Sequence, residues 1–431
     1  MKKVILALAL VVALVVCSVM FVACKGNETE EEQDYVYLPE KEAYTPTAVN
    51  SVLKVGAIMV GDNTEGYTKA HMDGIKAAKD AVEAANPGKT IDIIWKYKVG
   101  EDAACATAAE ETIAAGAKLV ITNSYGHQYP IRDTIHENPQ VLFVSMTGDL
   151  AAVSQWSNWK NAFTNVYESR YVSGVVAGLK LKELVENGQV AAKNKNGDNI
   201  KIGYVGAYPY AEVVSGYTAF YLGLKSIVSN VEMTVQYTNS WFDFDKEKAA
   251  AANLISQGCI IIGQHADSEG APTACQEALT AGTTVYSVGY NVSMLTAAPT
   301  ASLTSASNNW EVYYTYLFTK MLAGEAVATD WAKGYEEDAV GITALGTSCA
   351  TGTQAKVTET VDAIKAGTLK VFDCSTFKVG GQTIDSYTNA WGMNGAECIA
   401  TSGDVKYFKE SVIRSAPYFD IRIDGISEPA N

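Results

Sequence analysis

The chain reads as an α/β protein of two doubly wound, parallel-sheet lobes with a hinge, and three observations predict it. The stretch KVGAIMVGDNTEGYTKAHMDGIK, Lys54 to Lys76, is written a second time as KIGYVGAYPYAEVVSGYTAFYLGLK, Lys201 to Lys225. Each copy runs from a lysine through a short apolar strand into a turn, then into a helix ending Gly74-Ile75-Lys76 or Gly223-Leu224-Lys225. The following segments echo as well: TIDIIWKYKV, the alanine-rich DAACATAAEETIAAGA and LVIT in one copy, VEMTVQYTNSWFD, KEKAAAANLISQGC and IIIG in the other. Two successive β-α-β-α-β units in one order imply two lobes of related fold. With 431 residues, 48% of them apolar, the chain is long enough to bury two cores.

The elements follow in order. Lys2 and Lys3 precede an uncharged apolar run from Val4 to Ala23, the pattern of a signal peptide over residues 1–23. Phe21-Val22-Ala23-Cys24 resembles a bacterial lipobox, which makes Cys24 the lipidated residue; Val16 before Cys17 makes that cysteine the poorer candidate. An uncleaved membrane anchor is the alternative, and either reading puts the folded part outside the cytoplasm at a membrane surface. Residues 24–50 are polar and acidic without periodicity, which predicts a flexible tether. Lobe one is expected over 51–165 with about 293–330, and lobe two over 166–292 with about 331–374. In the first, VLFVSMTG (Val141 to Gly148) supplies a further buried strand. In the second, NVYESRYVSGVVAGLKLKELVENG has apolar residues at helical spacing, with Gly174 and Gly178 forming a face that admits close helix packing. Strands are expected in Thr283 to Met294 and before Asn309, followed by an amphipathic helix to about Gly324. Residues 375–431, rich in Gly, Ser, Thr and Asn, are expected as an extension packed on the lobes.

A net charge of -15 excludes nucleic acid as a partner, because phosphates demand a basic surface. Histidines 71, 127, 136 and 265 show no metal-ligand spacing, so neither metal nor other cofactor is expected. NPGKT (Asn86 to Thr90) imitates the end of a phosphate loop, but Glu83 stands where the leading glycine belongs, and no GxSxG or GxGxxG occurs. No enzyme signature is present. Of the six cysteines after Cys24, Cys105 and Cys259 are read as buried free thiols, and a bridge among Cys349, Cys374 and Cys398 stays open.

In doubly wound lobes ligands bind at the carboxyl ends of the strands, here the turns after Val60, Ile121, Val205 and Ile262. Aromatic faces there, Tyr67, Trp241, Phe242 and Trp310, suit a planar ligand, and Asp62, Asn63, Ser124, Asp243, Asp267 and Asn291 can read donors and acceptors on its edge. Tyr125 beside Ser124 joins the candidate set. Helix capping is the competing role for Asp62 and Asp243. Glu168 and Arg170 read as structural, Glu212 as either a cap or a cleft residue, and His71 and His265 as cleft-lining groups or their supports.

With these turns in view, the chain resembles the basic membrane protein family of substrate-binding lipoproteins from about Lys54 to Phe372. The resemblance is carried by Gly66, Tyr67 and His71; Tyr167, Glu168, Arg170 and Tyr171; Pro209, Glu212 and Val213; Ser240 to Asp243; Gln264, His265, Asp267 and Ser268; Gly289 to Asn291; and Asn309 with Trp310. It implies a type I periplasmic-binding-protein fold, a purine base or nucleoside as ligand, the permease subunits of an ATP-binding-cassette (ABC) importer as partners, and a monomer held by its lipid anchor on the extracytoplasmic face of the cell membrane. Two departures stand out. Where nucleoside-binding members carry an aspartate for the ribose, this chain has Tyr290-Asn291, and where they carry a lysine it has Asn308-Asn309. A free base therefore gains over a nucleoside. Alternatives of another class are a ligand-sensing receptor component of the same fold and an extracytoplasmic nucleoside hydrolase; a repressor of similar lobes is excluded by the leader and the acidity.

Overall fold

Each half of the sequence repeat builds one parallel sheet. The computed structural model describes residues 38–429, so the expected signal peptide, Cys24 and the first part of the tether lie outside the described residues. The first lobe opens with β1 (Val52–Ile58), α1 (Gly66–Ala85), β2 (Thr90–Lys96), α2 (Ala103–Ala114) and β3 (Leu119–Thr122). It continues through α3 (Arg132–Glu137), β4 (Leu142–Met146), α4 (Leu150–Ser154) and β5 (Trp159–Thr164). The chain then crosses into α5 (Val166–Glu186), a short β6 (Lys195–Asn196), β7 (Asn199–Gly206), α6 (Ala211–Lys225), β8 (Val231–Tyr237) and α7 (Phe244–Ser256). The second lobe is completed by β9 (Ile261–Gln264), α8 (Gly270–Thr280), β10 (Tyr286–Tyr290) and β11 (Ser302–Asn308). Beyond it come α9 (Trp310–Ala323), β12 (Asp330–Lys333), β13 (Val340–Ile342), α10 (Thr353–Lys365), the hairpin β14 (Ile399–Ser402) and β15 (Val405–Phe408), and β16 (Ile426–Ser427).

Sheet one has the order β12-β5-β4-β3-β1-β2 and sheet two β13-β11-β10-β9-β7-β8-β16. Stripped of their edges, both follow the doubly wound order 2-1-3-4-5, so the repeat in sequence is a repeat in topology. Both central strands are buried on both faces and read as near-continuous apolar runs, as parallel strands must.

One expected boundary needs correction. Residues 293–308 belong to lobe two, because β11 pairs in parallel with β10 and leaves no ladder for sheet one. Lobe one takes only α9 and β12, the latter pairing with β5, after which β13 returns to pair antiparallel with β11. The chain thus crosses between lobes three times, near Asn165, Asn309 and residues 334–339. Backbone bonds tie the crossings together: Asn165 N–H donates to Lys333 O and Asn309 N–H to Ala339 O, each at 2.8 Å. The Glu168 carboxylate accepts the Tyr335 N–H at 2.8 Å, which places this acid at the hinge.

The glycine that closes each repeat has the same task in both lobes. A Cβ on Gly74 of α1 would lie 2.7 Å from Cβ of Trp310, and one on Gly223 of α6 would lie 2.0 Å from the Tyr171 carbonyl oxygen. In both cases the missing side chain seats the helix that has just crossed from the other lobe, α9 or α5. Gly174 answers Gly223 from the opposite helix, its Cβ position 2.1 Å from Phe220 O.

The tether expectation is also corrected for its described part. Trp156 Nε1–H donates to Leu38 O at 3.0 Å, Tyr44 packs against the lobe-one core and Val49 N–H donates to Leu322 O at 3.2 Å, so residues 38–50 run along lobe one. The extension roots on lobe two through Phe372, Phe408 and Phe419, with Phe372 and Phe419 stacked at 4.2 Å, and β16 adds a parallel strand beside β8. All six described cysteines are free, including Cys349, Cys374 and Cys398. Among the described residues no helix is long and apolar enough to cross a membrane.

Helix propensity alone would make Gly223→Ala stabilising by about 1 kcal/mol. The blocked Cβ position reverses the sign: the variant is expected to lose about 2–3 kcal/mol in urea unfolding, the cost of overpacking against backbone.

Candidate functional site

The loops at the carboxyl ends of the two sheets face each other, and between them lies a cavity of about 400 Å³. After β1, the loop turns on Asp62, whose carboxylate accepts from the Thr64 N–H at 2.9 Å and hydroxyl at 2.6 Å and pairs with Lys98 at 2.8 Å. The Lys98 ammonium first, then the Thr64 contacts, hold this carboxyl well below its ordinary range. Helix α1 is capped instead by Glu65, which accepts from the Tyr67 and Thr68 amides at 2.9 Å. That cap aims Tyr67 into the cleft, where its hydroxyl meets Thr147 Oγ1 at 2.9 Å. Behind Tyr67 stands His71, edge-on at 4.5 Å, and behind His71 the indole of Trp310, stacked at 4.2 Å. His71 Nδ1 also meets the Tyr314 hydroxyl at 2.7 Å, and burial keeps the imidazole neutral. After β3, Ser124 and Tyr125 line the wall; the Tyr125 hydroxyl donates to Asp149 at 3.0 Å.

Lobe two answers with a chain of charge. Arg170 on α5, 2% exposed, donates from Nη1 to Gln264 O at 2.6 Å and from Nη2 to His265 Nδ1 at 3.1 Å, and its guanidinium lies 3.5 Å from the centre of the Tyr290 ring. Arginine only donates, so Nδ1 of His265 is the acceptor and the proton sits on Nε2. That N–H points to the Glu212 carboxylate 3.4 Å away, in the cleft. Burial, then the Arg170 charge, push the His265 pKa down, which keeps it in this neutral form. Trp241, edge-on to Tyr208 at 4.9 Å, and the half-exposed Phe242 form the rim after β8.

The lobes touch at the ends of β1 and β9. The Gly66 N–H donates to Asp267 O at 3.4 Å. Asp267 Oδ1 accepts from Asn291 Nδ2 at 2.7 Å, Asn291 Oδ1 accepts from Asn308 at 3.1 Å, and Asn308 Oδ1 accepts the hydroxyl proton of Thr164. Asn291 sits at φ +61°, a left-handed conformation that asparagine tolerates. Burial first, then the carboxylates of Glu65, Glu247 and Glu212 against the opposing charge of Arg170, raise Asp267 well above the ordinary range. Burial likewise raises Glu65.

Of the residues singled out in the sequence, Asp62, Tyr67, Ser124, Tyr125, Trp241, Phe242 and Asp267 line this one cavity. Four do not. Asn63 is exposed on the outside of its turn, Asp243 caps α7 by accepting from the Lys246 N–H at 3.0 Å, Asn291 is spent on Asp267 and Asn308, and Trp310 is buried behind His71. The wall also holds Glu65, Thr147 and Tyr208, which follow strands as the others do, Tyr290 at the end of β10, and Glu212 and His265. A second cavity of about 870 Å³ continues outward past Tyr125, Tyr208 and Trp241.

Comparison with known proteins decides the family. Residues 53–372 match the profile of PnrA-like ABC transporter substrate-binding proteins, the Bmp family. The chain belongs to this family. A purine-binding protein of Brucella abortus is 31% identical over 350 residues, 79% of this chain and 91% of that one. A putative ABC transporter glucose-binding protein of Haloferax volcanii is 28% identical over 205 residues, 48% of this chain and 46% of its own length. A solved solute-binding protein of Aeropyrum pernix shares the fold, with a TM-score of 0.59 and 16% identity over 75% of this chain and 93% of that one. A solved solute-binding protein of Conexibacter woesei does so with a TM-score of 0.54 and 19% identity over 74% and 98%. The type I fold expected for a member of the PnrA-like family is the one observed, with the cavity between the lobes at the β1/β3 and β7/β9 switch points.

The crowding of acids in and behind the PnrA-like cleft has a pH signature. Burial raises Glu247 to about 7 and raises Asp267 and Glu65 above their ordinary ranges, so each gives up its proton at a higher pH in the folded state than in the unfolded chain. A raised folded pKa gives stability that is complete below the unfolded value and is lost as pH rises. The melting temperature is expected to fall from about pH 5 to pH 8, and Asp267→Asn is expected to flatten that fall; equal slopes for variant and parent would refute the assignment.

Proposed function

We propose that this member of the family binds a neutral, planar nitrogen heterocycle of the purine-base type between its lobes and presents it, closed, to the permease of an ABC importer. Supporting this reading is the pairing of aromatic and acidic groups: Tyr67 from lobe one and Trp241 from lobe two line one cavity, together with the carboxyl groups of Asp62, Glu65, Glu212 and Asp267. Base-to-aromatic stacking contributes about 1–3 kcal/mol per face, and carboxylates accept the N–H donors on a purine edge. Only Lys98 and neutral His265 oppose four acids in the lining, which disfavours phosphates and so nucleotides. A volume of about 400 Å³ is within the range of small-ligand clefts. The relative from Brucella abortus, a purine-binding protein by name, supports the same class.

The two departures from the nucleoside-binding pattern support a base over a nucleoside. Asn291 and Asn308 bond to each other at 3.1 Å, and neither lines the cavity, so the groups that would meet a ribose are absorbed in the wall. Ligand that touches both lobes favours the closed population by its differential affinity, the hinge-closure mechanism. The mature protein on this reading is a monomeric, non-enzymatic lipoprotein, anchored through Cys24 on the extracytoplasmic face of the membrane.

Titration calorimetry with hypoxanthine, guanine and adenine tests the stacking. Tyr67→Ala and Trp241→Ala are each expected to weaken binding about tenfold or more while the fold persists. Unchanged affinity in both variants would remove the sandwich.

A further inference from the structure

The segment beyond the family match, residues 373–429, is rooted on lobe two yet reaches lobe one at the mouth of the cleft. Arg414 Nη1 pairs with Asp149 Oδ2 at 3.3 Å, with side chains only 7% and 3% exposed. One residue on, the Ser415 N–H donates to Asp330 Oδ1 on β12 at 2.8 Å. The arginine is held from several sides: its Nε–H donates to Ala416 O at 3.2 Å, and the faces of Trp391 and Tyr418 lie 5.7 and 5.8 Å from the guanidinium carbon. Gly392 passes so close that a Cβ there would be 2.6 Å from Nη1. Asp149 is equally occupied, accepting from the Tyr125 hydroxyl and from Gln128 Nε2, both at 3.0 Å. Tyr125 is a wall residue of both cavities.

A buried ion pair stabilises only when its remaining hydrogen-bonding capacity is met, and here both partners are met when the lobes are together. Parting the lobes would separate Arg414 from Asp149 and Ser415 from Asp330 at once. We propose that residues 373–429 are a latch: seated on lobe two, the segment hands Arg414 across to Asp149, and thereby positions Tyr125 and biases the cleft towards the closed state that ligand completes. Arg414 is a positioning residue on this account, since it acts on the cleft through Asp149 and Tyr125. The latch also walls the outer cavity with Trp391, Pro417 and Arg422, so the mouth of the site is built from sequence outside the family-matched region.

The inference rests on the two-lobed, hinge-closing reading, and a ligand-free measurement separates the two. Spin labels at Asp133→Cys on lobe one and Ala252→Cys on lobe two, with Cys349→Ser to silence the half-buried thiol, report the distance between lobes in the mature chain by electron double resonance. Without ligand the parent is expected to show mainly a short distance beside a minor longer one, which ligand removes. Arg414→Met is expected to shift the open-to-closed ratio about tenfold or more towards a longer distance, as loss of a charged hydrogen bond implies, while Arg414→Lys keeps most of the short distance. Asp149→Asn should open the lobes from the other side, and decides the matter if Arg414→Met does not fold. An unchanged distance in Arg414→Met or Asp149→Asn, or a parent already open without ligand, would overturn the latch. A purine-binding failure with the short distance intact would overturn the ligand assignment and leave the latch standing.

Discussion

A guanidinium cannot lose its water without finding acceptors, and Arg170 loses nearly all of it. That constraint organises the second wall of the cleft. The Gln264 carbonyl and His265 Nδ1 take two of its donors, and the Tyr290 ring takes its face. Each partner is thereby fixed: His265 in one tautomer, its N–H turned to Glu212, and Tyr290 flat against the charge. The same positive charge opposes the burial of Asp267 among several acids in a dry site. Arg170 stands near the start of α5, just past the first lobe crossing, so the group that arranges the ligand wall is also next to the hinge.

Closure draws on two further sets of contacts. The amide chain from Thr164 through Asn308 and Asn291 to Asp267 runs from the hinge to the point where Gly66 meets lobe two. Its first three members are uncharged side chains, so it orients Asp267 without adding charge to an acidic cleft. On the far side Arg414 and Ser415 tie the extension to lobe one. The cleft is therefore bounded by hinge, floor and mouth, each held by polar groups whose partners lie on different lobes or elements.

Much of this was legible in the sequence because the fold repeats itself. Two copies of a strand, turn and helix carrying Gly-x-Lys dictate two like sheets, and the switch-point rule then brings Tyr67, Ser124, Tyr125, Trp241 and Asp267 to one place. What escaped follows from the same rule applied too simply. Trp310 also follows a strand, yet it opens a helix whose first turn must cover His71, so its indole goes inward. Asp62 and Glu65 compete for the cap of α1, and only the turn geometry selects Glu65. SLTSASN reads equally as a strand of either lobe, and the unpaired edge of β10 decides. Residues 38–50 have the composition of a tether, but Tyr44 and Val49 supply enough apolar contact to lay them along lobe one. The low periodicity of residues 375–431 hid a segment whose purpose lies in single contacts such as Arg414 with Asp149.

The central claim is that a cleft lined by aromatic side chains from both lobes and by four carboxyl groups takes a neutral planar heterocycle. A thermal-shift panel of the chain from about residue 30 onward, spanning purine bases, nucleosides, pyrimidines, sugars and amino acids, tests it most directly, because a ligand that binds only the folded state must raise the melting temperature. The account predicts a rise with adenine, guanine or hypoxanthine and little with their nucleosides. A rise confined to glucose or other sugars, or to amino acids, would contradict it.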